Sequence, residues 1–222
     1  MNALKKLPIT YLGQLHEVKL INFSVDMEEV LPLVPQRLKV RAFDGKAIIS
    51  MVNVKLKEMR PKGMPKPLSF DYQHVAFRLL IDDAELNEDG KAHGIYFLRS
   101  FTDKPWVAWS GSKFTHYKLT SAALTDEKEF LLHQGDRFVT YELTDQELPL
   151  DQALKDVIQP LDRAYAVEGA KLLRTRIQRD EWPIEPVHCK GFETNFFKTA
   201  RFLGAFEVKG VIDYEWMASV LL

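Results

Sequence analysis

The sequence predicts an α+β domain whose body is a highly curved antiparallel sheet, open or closed into a barrel. Three observations carry that expectation. Short segments of mixed apolar and polar residues dominate the chain, tight-turn pairs recur at Asp44-Gly45, Asp89-Gly90 and Glu168-Gly169, and only a few brief helices interrupt them. No repeat, low-complexity tract or linker divides residues 1–222, so a single domain is expected to cover them all. A chain of 222 residues is long enough to bury a substantial core.

The elements follow in order. Leu15 to Val25 reads as a strand, with Leu15, Val18, Leu20 and Phe23 as its apolar positions. Asp26 is placed to cap a short helix from Met27 to Leu33, with Glu28 and Glu29 in the first turn, where the helix dipole favours anions. Leu38 to Phe43 alternates with period two, Asp44-Gly45 turns the chain, and Lys46 to Leu56 returns as the second arm of a hairpin. Residues 59–69 carry three prolines and a glycine and read as a long loop. Phe70 to Ile81 is extended. The acidic stretch from Asp82 to Gly90 reads as a solvated hairpin tip leading to a strand from Gly94 to Phe101.

Further strands are expected at Ser121 to Thr125, Lys128 to His133 and Arg137 to Leu143. Pro149 to Leu161 spaces Leu150, Leu154, Val157, Ile158 and Leu161 along one helical face. Ala164 to Arg179 is a hairpin turning at Glu168 to Ala170. Val187 to Leu222 holds at least one more strand and an amphipathic tail with Phe196, Phe197, Phe202 and Phe206.

Composition narrows the function. Hydrophobic residues make up 46% of the chain and charged residues 27%, and the formal net charge is −1, so no global field recruits nucleic acid or an anionic membrane. The lone Cys189 has no intramolecular disulfide partner, which points to a reducing compartment. Met1 to Leu20 has no signal-peptide core, and no apolar run is long enough to span a bilayer; a soluble, cytoplasmic protein is expected. The six histidines, at 16, 74, 93, 116, 133 and 188, show no chelating spacing, so no metal site is expected. Phosphate-cradling glycine motifs and the hydrolase nucleophile elbow are absent, so no cofactor is expected either.

The densest chemistry lies in Gly111-Ser112-Lys113-Phe114-Thr115-His116-Tyr117-Lys118-Leu119, which brings two amines, an imidazole and a phenol together. His116 is the candidate for acid–base work, because an unperturbed imidazole titrates near about 6.5. Aromatics crowd the same region, from Tyr96 and Phe97 through Trp106 and Trp109 to Tyr117. On alternating strand positions they would line one barrel face, suiting a core or a small-molecule cavity.

Several segments together resemble the acetoacetate decarboxylase-like superfamily, and more narrowly its domain-of-unknown-function branch. They are Asp26 to Pro35, Leu38-Lys39-Val40, Asp44 to Ala47, Met59 to Pro65, Gly94 to Ser100, Ala108 to Lys118, Arg163-Ala164-Tyr165 and Asp180 to Pro183. The resemblance implies a cone-shaped antiparallel β-barrel with an internal cavity. Characterised enzymes of that superfamily form a Schiff base on a Lys followed directly by a second Lys, whose cation helps to depress an amine pKa that starts near about 10.4. In that register Tyr117 takes the Schiff-base position and Lys118 the second one, with His116 before them. His16 stands near the superfamily's arginine, and Ser50 or Met51 near a glutamate.

The expected function is therefore an internal cavity that binds a small molecule, a carboxylate or keto compound, without Schiff-base chemistry. Tyr96, Trp109, His16 and His74 are the candidate ligand-binding residues, and His116, Tyr117 and Lys118 the candidate catalytic ones. Tyr117, not Lys118, is expected to face the cavity, because neighbours on an extended segment point to opposite sides. The alternative is a decarboxylase-like lyase acting on a keto acid through Lys118, or with His116 as general acid–base. The expected partner is a small-molecule ligand, neither nucleic acid nor membrane, with a homo-oligomer left open.

Overall fold

The strand β1 (Tyr11–Asp26) is where the architecture branches, because it pairs with three others. The computed structural model that shows this describes residues 8–222, apart from 115, 117, 147 and 181 and the side chains of 112 and 114. Along one edge β1 runs antiparallel to β3 (Lys46–Pro61) for nearly its whole length. Along the other edge, Tyr11–Leu15 pair with β14 (Ile212–Trp216), and Lys19–Ser24 pair with β13 (Arg201–Val208). The exchange of partner falls at an irregularity between His16 and Lys19, where Glu17 adopts a left-handed φ of 51°.

From β3 the sheet continues through β4 (Phe70–Ile81), β5 (Gly94–Thr102), β10 (Arg163–Glu168) and β11 (Lys171–Arg179) to β14. There it meets β1 again, closing a seven-stranded barrel. A second, outer sheet extends from β13 through β12 (Ile184–Thr194), β9 (Arg137–Thr144) and β8 (Phe130–Gln134) to β7 (Ala123–Asp126). The short strands β2 (Ala42–Phe43), β6 (Leu119–Ser121) and β15 (Val220–Leu221) add to β3, β5 and β11.

The period-two rule sorts side chains into two cores. On β4, Val75, Phe77, Leu79 and Ile81 face outward into a core shared with Phe23, Phe101, Phe130, Phe196 and Phe197 beneath the outer sheet. Ala76 and Leu80, on the opposite face, join Leu15, Val18, Val52, Val54 and Ile95 in the barrel interior. The helix α3 (Gln152–Ile158) begins at Asp151, whose side chain accepts the Leu154 N–H at 3.0 Å, and packs Leu154 and Ile158 into the interior cluster. Leu154 lies beside Ile48, near the start of β3. At the other end of β3, beside Leu56 and Met59, stands the helix α2 (Pro105–Phe114).

Some expectations are corrected. The sheet is mixed, because β5 and β10 run parallel, and their long connection carries α2, the outer-sheet strands β7, β8 and β9, and α3. The helix α1 (Met27–Val30) is a single turn followed by a tight turn at Leu31–Leu33, and the Asp26 carboxylate pairs with Lys46 instead of capping it. The aromatic stretch around Trp106 is helical, not extended: Pro105 sits at the first helical position, where its missing N–H costs nothing.

The acidic stretch does join the antiparallel strands β4 and β5, with Glu85, Glu88 and Asp89 exposed, but one acid within it is not solvated. Asp83 is fully buried and accepts the Gly94 N–H at 2.9 Å, the Tyr165 hydroxyl at 2.8 Å and the Asn87 amide at 2.6 Å. Arg163 grips Asp89, which holds that carboxyl down at about 2. These acids tie β5 to β10 at the parallel seam. Among the described residues, no helix is long and apolar enough to cross a membrane.

A side chain at Gly94 would collide with this knot, since a Cβ there would lie 2.7 Å from Asp83 Cγ and 2.8 Å from Tyr165 Cε2. Gly94→Ala is expected to lower stability by about 1–3 kcal/mol, as overpacking of a close-packed site does. Urea unfolding checks this through a lower midpoint at unchanged m, and an unchanged midpoint would contradict the role given to the seam.

Candidate functional site

The inward face of β4 carries more than apolar residues. Tyr72, His74 and Arg78 share it with Ala76 and Leu80, and neighbouring strands answer with Leu56 from β3, Phe97 from β5, Arg179 from β11, and Tyr214 and Trp216 from β14. Together they enclose two adjoining chambers. The outer one, about 140 Å³, lies against α2, which contributes Val107, Ser110 and Gly111 to its wall. The inner one, about 70 Å³, is lined by Arg78 and Arg179 together with Val18, Val52, Ile95 and Trp182.

Leu56, His74, Phe97, Tyr214 and Trp216 border both chambers. The rings among them, with Tyr72 of the outer chamber, form a chain of contacts, with centroids 6.2 Å apart for Tyr72–His74, 6.5 Å for His74–Phe97, 6.0 Å for Phe97–Trp216 and 6.3 Å for Tyr214–Trp216.

Electrostatics set the inner chamber apart. Arg78 is buried and anchored by Ser50, its Nε donating to the Ser50 carbonyl at 3.1 Å and its Nη2 to the Ser50 hydroxyl at 2.7 Å. Arg179 lies over the Trp182 ring at 4.1 Å and donates to the Gln159 carbonyl at 2.9 Å, while its Nε is shut away from solvent and unpartnered among the described residues. Burial, together with the neighbouring Arg179 charge, pushes Arg78 down to about 9; burial pushes Arg179 down to about 10, and both stay cationic at neutral pH. Among the described residues, no carboxylate lines either chamber and neither guanidinium makes an ion pair, although the Asp162 carboxylate outside the chambers acts favourably on Arg179.

His74 is held neutral. Desolvation, helped by the Arg78 charge, lowers it to about 4, and burial pushes the Tyr72 phenol up. Among the described residues, no group of three His, Cys, Asp or Glu is placed to hold a metal ion.

The residues singled out in the sequence are dispersed. His74 lines both chambers. Tyr96 packs against the outer core, on the opposite face of β5 from Phe97. Trp109 is 59% exposed on α2, with the Lys113 ammonium 4.5 Å above its ring. His16 sits at the β1 irregularity, its Nε2 3.4 Å from Gln14 Oε1. Lys118 is exposed just before β6. His116 Nδ1 stands 3.0 Å from Glu168 Oε1, at the end of β10.

Tyr117, with its expected inward orientation, lies outside the described residues. Of the two positions set near a glutamate, Ser50 supports Arg78, whereas Met51 is buried in the outer core. Sequence reasoning missed Arg78, Arg179, Tyr214 and Trp216. The available signal was an arginine in the apolar second half of a strand, Val75 to Ile81, in phase with the inward-facing Ala76 and Leu80.

A closed mixed barrel with an outer sheet is the acetoacetate decarboxylase-like fold, and solved structures bear this out. An acetoacetate decarboxylase-like enzyme from Sphingomonas wittichii RW1 superposes with a TM-score of 0.63 at 11% identity, covering 96% of this chain and 92% of that one. The acetoacetate decarboxylase of Legionella pneumophila gives 0.62 at 10% identity, covering 100% and 90%. The enduracididine biosynthesis enzyme MppR, complexed with pyruvate, gives 0.60 at 13%, covering 99% and 92%. No curated protein matches the chain. Residues 13–210 match the DUF2071 family, described as an uncharacterized conserved protein, and the chain belongs to that family.

The depressed His74 gives a measurable pH signature. The folded protein keeps His74 neutral down to about 4, whereas the unfolded chain protonates it near 6.5, so the unfolded state binds the extra proton between those values. This contribution to stability is complete above 6.5 and declines as pH falls toward 4. His74→Gln is expected to flatten that limb in thermal unfolding measured across the interval. A variant that declines as steeply as the parent would contradict a neutral interior imidazole.

Proposed function

We propose that the barrel interior binds a small organic anion, a carboxylate or keto compound, through Arg78 and Arg179 and without a Schiff base. The observation that carries this reading is a pair of guanidiniums facing an interior cavity that no carboxylate lines among the described residues. At Arg78 a buried charge without a counter-ion costs several kcal/mol, whereas the Asp162 carboxylate, outside the chamber, partly offsets the charge of Arg179. A ligand carboxylate would offset that cost and accept charge-assisted hydrogen bonds from both forks.

The lining supports binding without an imine, since no lysine is among the described residues of either chamber. The lyase alternative has weaker support. Lys118 is exposed, and His116, facing Glu168, is not among the residues lining either chamber.

Calorimetric titration with pyruvate and acetoacetate tests the proposal, with borohydride treatment and mass spectrometry alongside. Saturable binding without a borohydride-stable adduct is expected. Arg179→Met should weaken it by roughly 10–100-fold, the value of about 1.5–3 kcal/mol for a hydrogen bond to a charged group. The same variant should keep or raise the unfolding midpoint, because it removes a buried charge while the Trp182 indole N–H still donates to the Gln159 carbonyl at 3.1 Å. Failure of every carboxylate tested to bind, or a trapped adduct on Lys118, would overturn the reading.

A further inference from the structure

The two chambers differ in a way that specifies the ligand further. Arg78 and Arg179 line the inner chamber and not the outer one, and no charged side chain is among the described residues lining the outer chamber. The outer walls are instead aromatic and aliphatic, with Phe70, Tyr72 and Trp216 facing Met59 and Val107. The cavity thus has a cationic floor and an uncharged upper part, joined where His74, Phe97, Tyr214 and Trp216 border both spaces.

Volume divides the ligand in the same way. The inner chamber, about 70 Å³, has room for a carboxylate head with little beyond it. The outer chamber, about 140 Å³, is close to the ~150 Å³ apolar cavity that takes up benzene in an engineered protein. A ligand as small as pyruvate would leave the outer chamber unfilled, forfeiting apolar burial and dispersion contacts. A dicarboxylate would strand its second charge among aromatic rings, far from either guanidinium. Tilted ring faces and the Met59 thioether suit a flat π-surface.

Resting on the anion-binding reading above, we infer that the site is selective for arylcarboxylates: a single carboxylate on the arginines, joined by a short spacer to one aromatic ring held in the outer chamber. Calorimetry on the full chain with matched pairs tests this, comparing phenylpyruvate with pyruvate and phenylacetate with acetate, and using benzyl alcohol as the uncharged control. The phenyl-bearing acid should bind about 10–100-fold more tightly in each pair, which is what burying one ring contributes. Benzyl alcohol should bind more weakly than phenylacetate.

Ser110→Phe, which places a ring in the outer chamber, should erase the phenyl advantage, so that phenylpyruvate binds no more tightly than pyruvate. Ser110→Leu serves the same purpose if the larger variant does not fold. Equal affinities within each pair would overturn the arylcarboxylate assignment and leave the anion-binding reading standing. Benzyl alcohol binding as tightly as phenylacetate would overturn the assignment by removing the carboxylate from recognition. Failure of every carboxylate to bind would overturn both.

Discussion

The change of partner along β1 is the constraint on which the rest of the molecule depends. A strand can hydrogen-bond along only two edges, and β1 gives one entirely to β3 while dividing the other between β14 and β13. The first half of that divided edge closes the barrel, and the second half launches the outer sheet. The switch requires an irregularity, supplied at Glu17, and a second one between Leu56 and Met59 of β3, where Glu58 takes a φ of 51°. Left-handed backbone at a non-glycine residue carries a cost of order 1 kcal/mol or more. Both irregularities are held by pairing on either side. They also re-aim the side chains, so that Leu15 and Val18, three residues apart, both reach the interior.

The interior is built against stability. A barrel of this size is readily filled by aliphatic side chains, and most of this one is, through Leu15, Val52, Val54, Ala76 and Ile95. Arg78 and Arg179 break that pattern with no carboxylate among the described residues of their chamber, although Asp162 acts on Arg179 from outside it. Ser50 and Gln159 carbonyls hold the guanidiniums in position but do not neutralise them. On the proposed reading, charge retained in an otherwise apolar core, beside space that the described side chains leave open, is where ligand binding would outweigh packing. The neutral His74 imidazole fits the same setting, because the dehydration that lowers it also strengthens every charge–ligand contact nearby.

Much of the fold is legible in the sequence, for physical reasons that are local. The hairpin at Glu168 to Ala170 forms where expected, with Gly169 at a φ of 58°, and the strand Phe70–Ile81 has the boundaries its alternation implies. The parallel contact of β5 with β10 is not legible, because it joins segments far apart in the chain and rests on the buried Asp83–Tyr165 bond. One position of the acidic stretch misleads for the same reason: Asp83 reads as solvated until Tyr165 is brought to it.

The candidate site is legible only in part. His74 stands out as a histidine on a strand, but the crowded motif from Gly111 to Leu119 draws attention to α2, which contributes Val107, Ser110 and Gly111 to the wall while turning Trp109 outward. Arg78 and Arg179 come from strands far apart in sequence. Their shared chamber exists only once the barrel closes through β14.

A crystal structure of the protein with 4-bromophenylacetate tests the central claim most directly. The claim is that the interior has a cationic floor and an aromatic upper chamber. The account predicts carboxylate density within hydrogen-bonding distance of Arg78 and Arg179, and a bromine anomalous peak in the outer chamber beside α2. A ligand bound in reverse, with bromine against the arginines, or a ligand found only on the surface while the interior stays closed to it, would contradict the account.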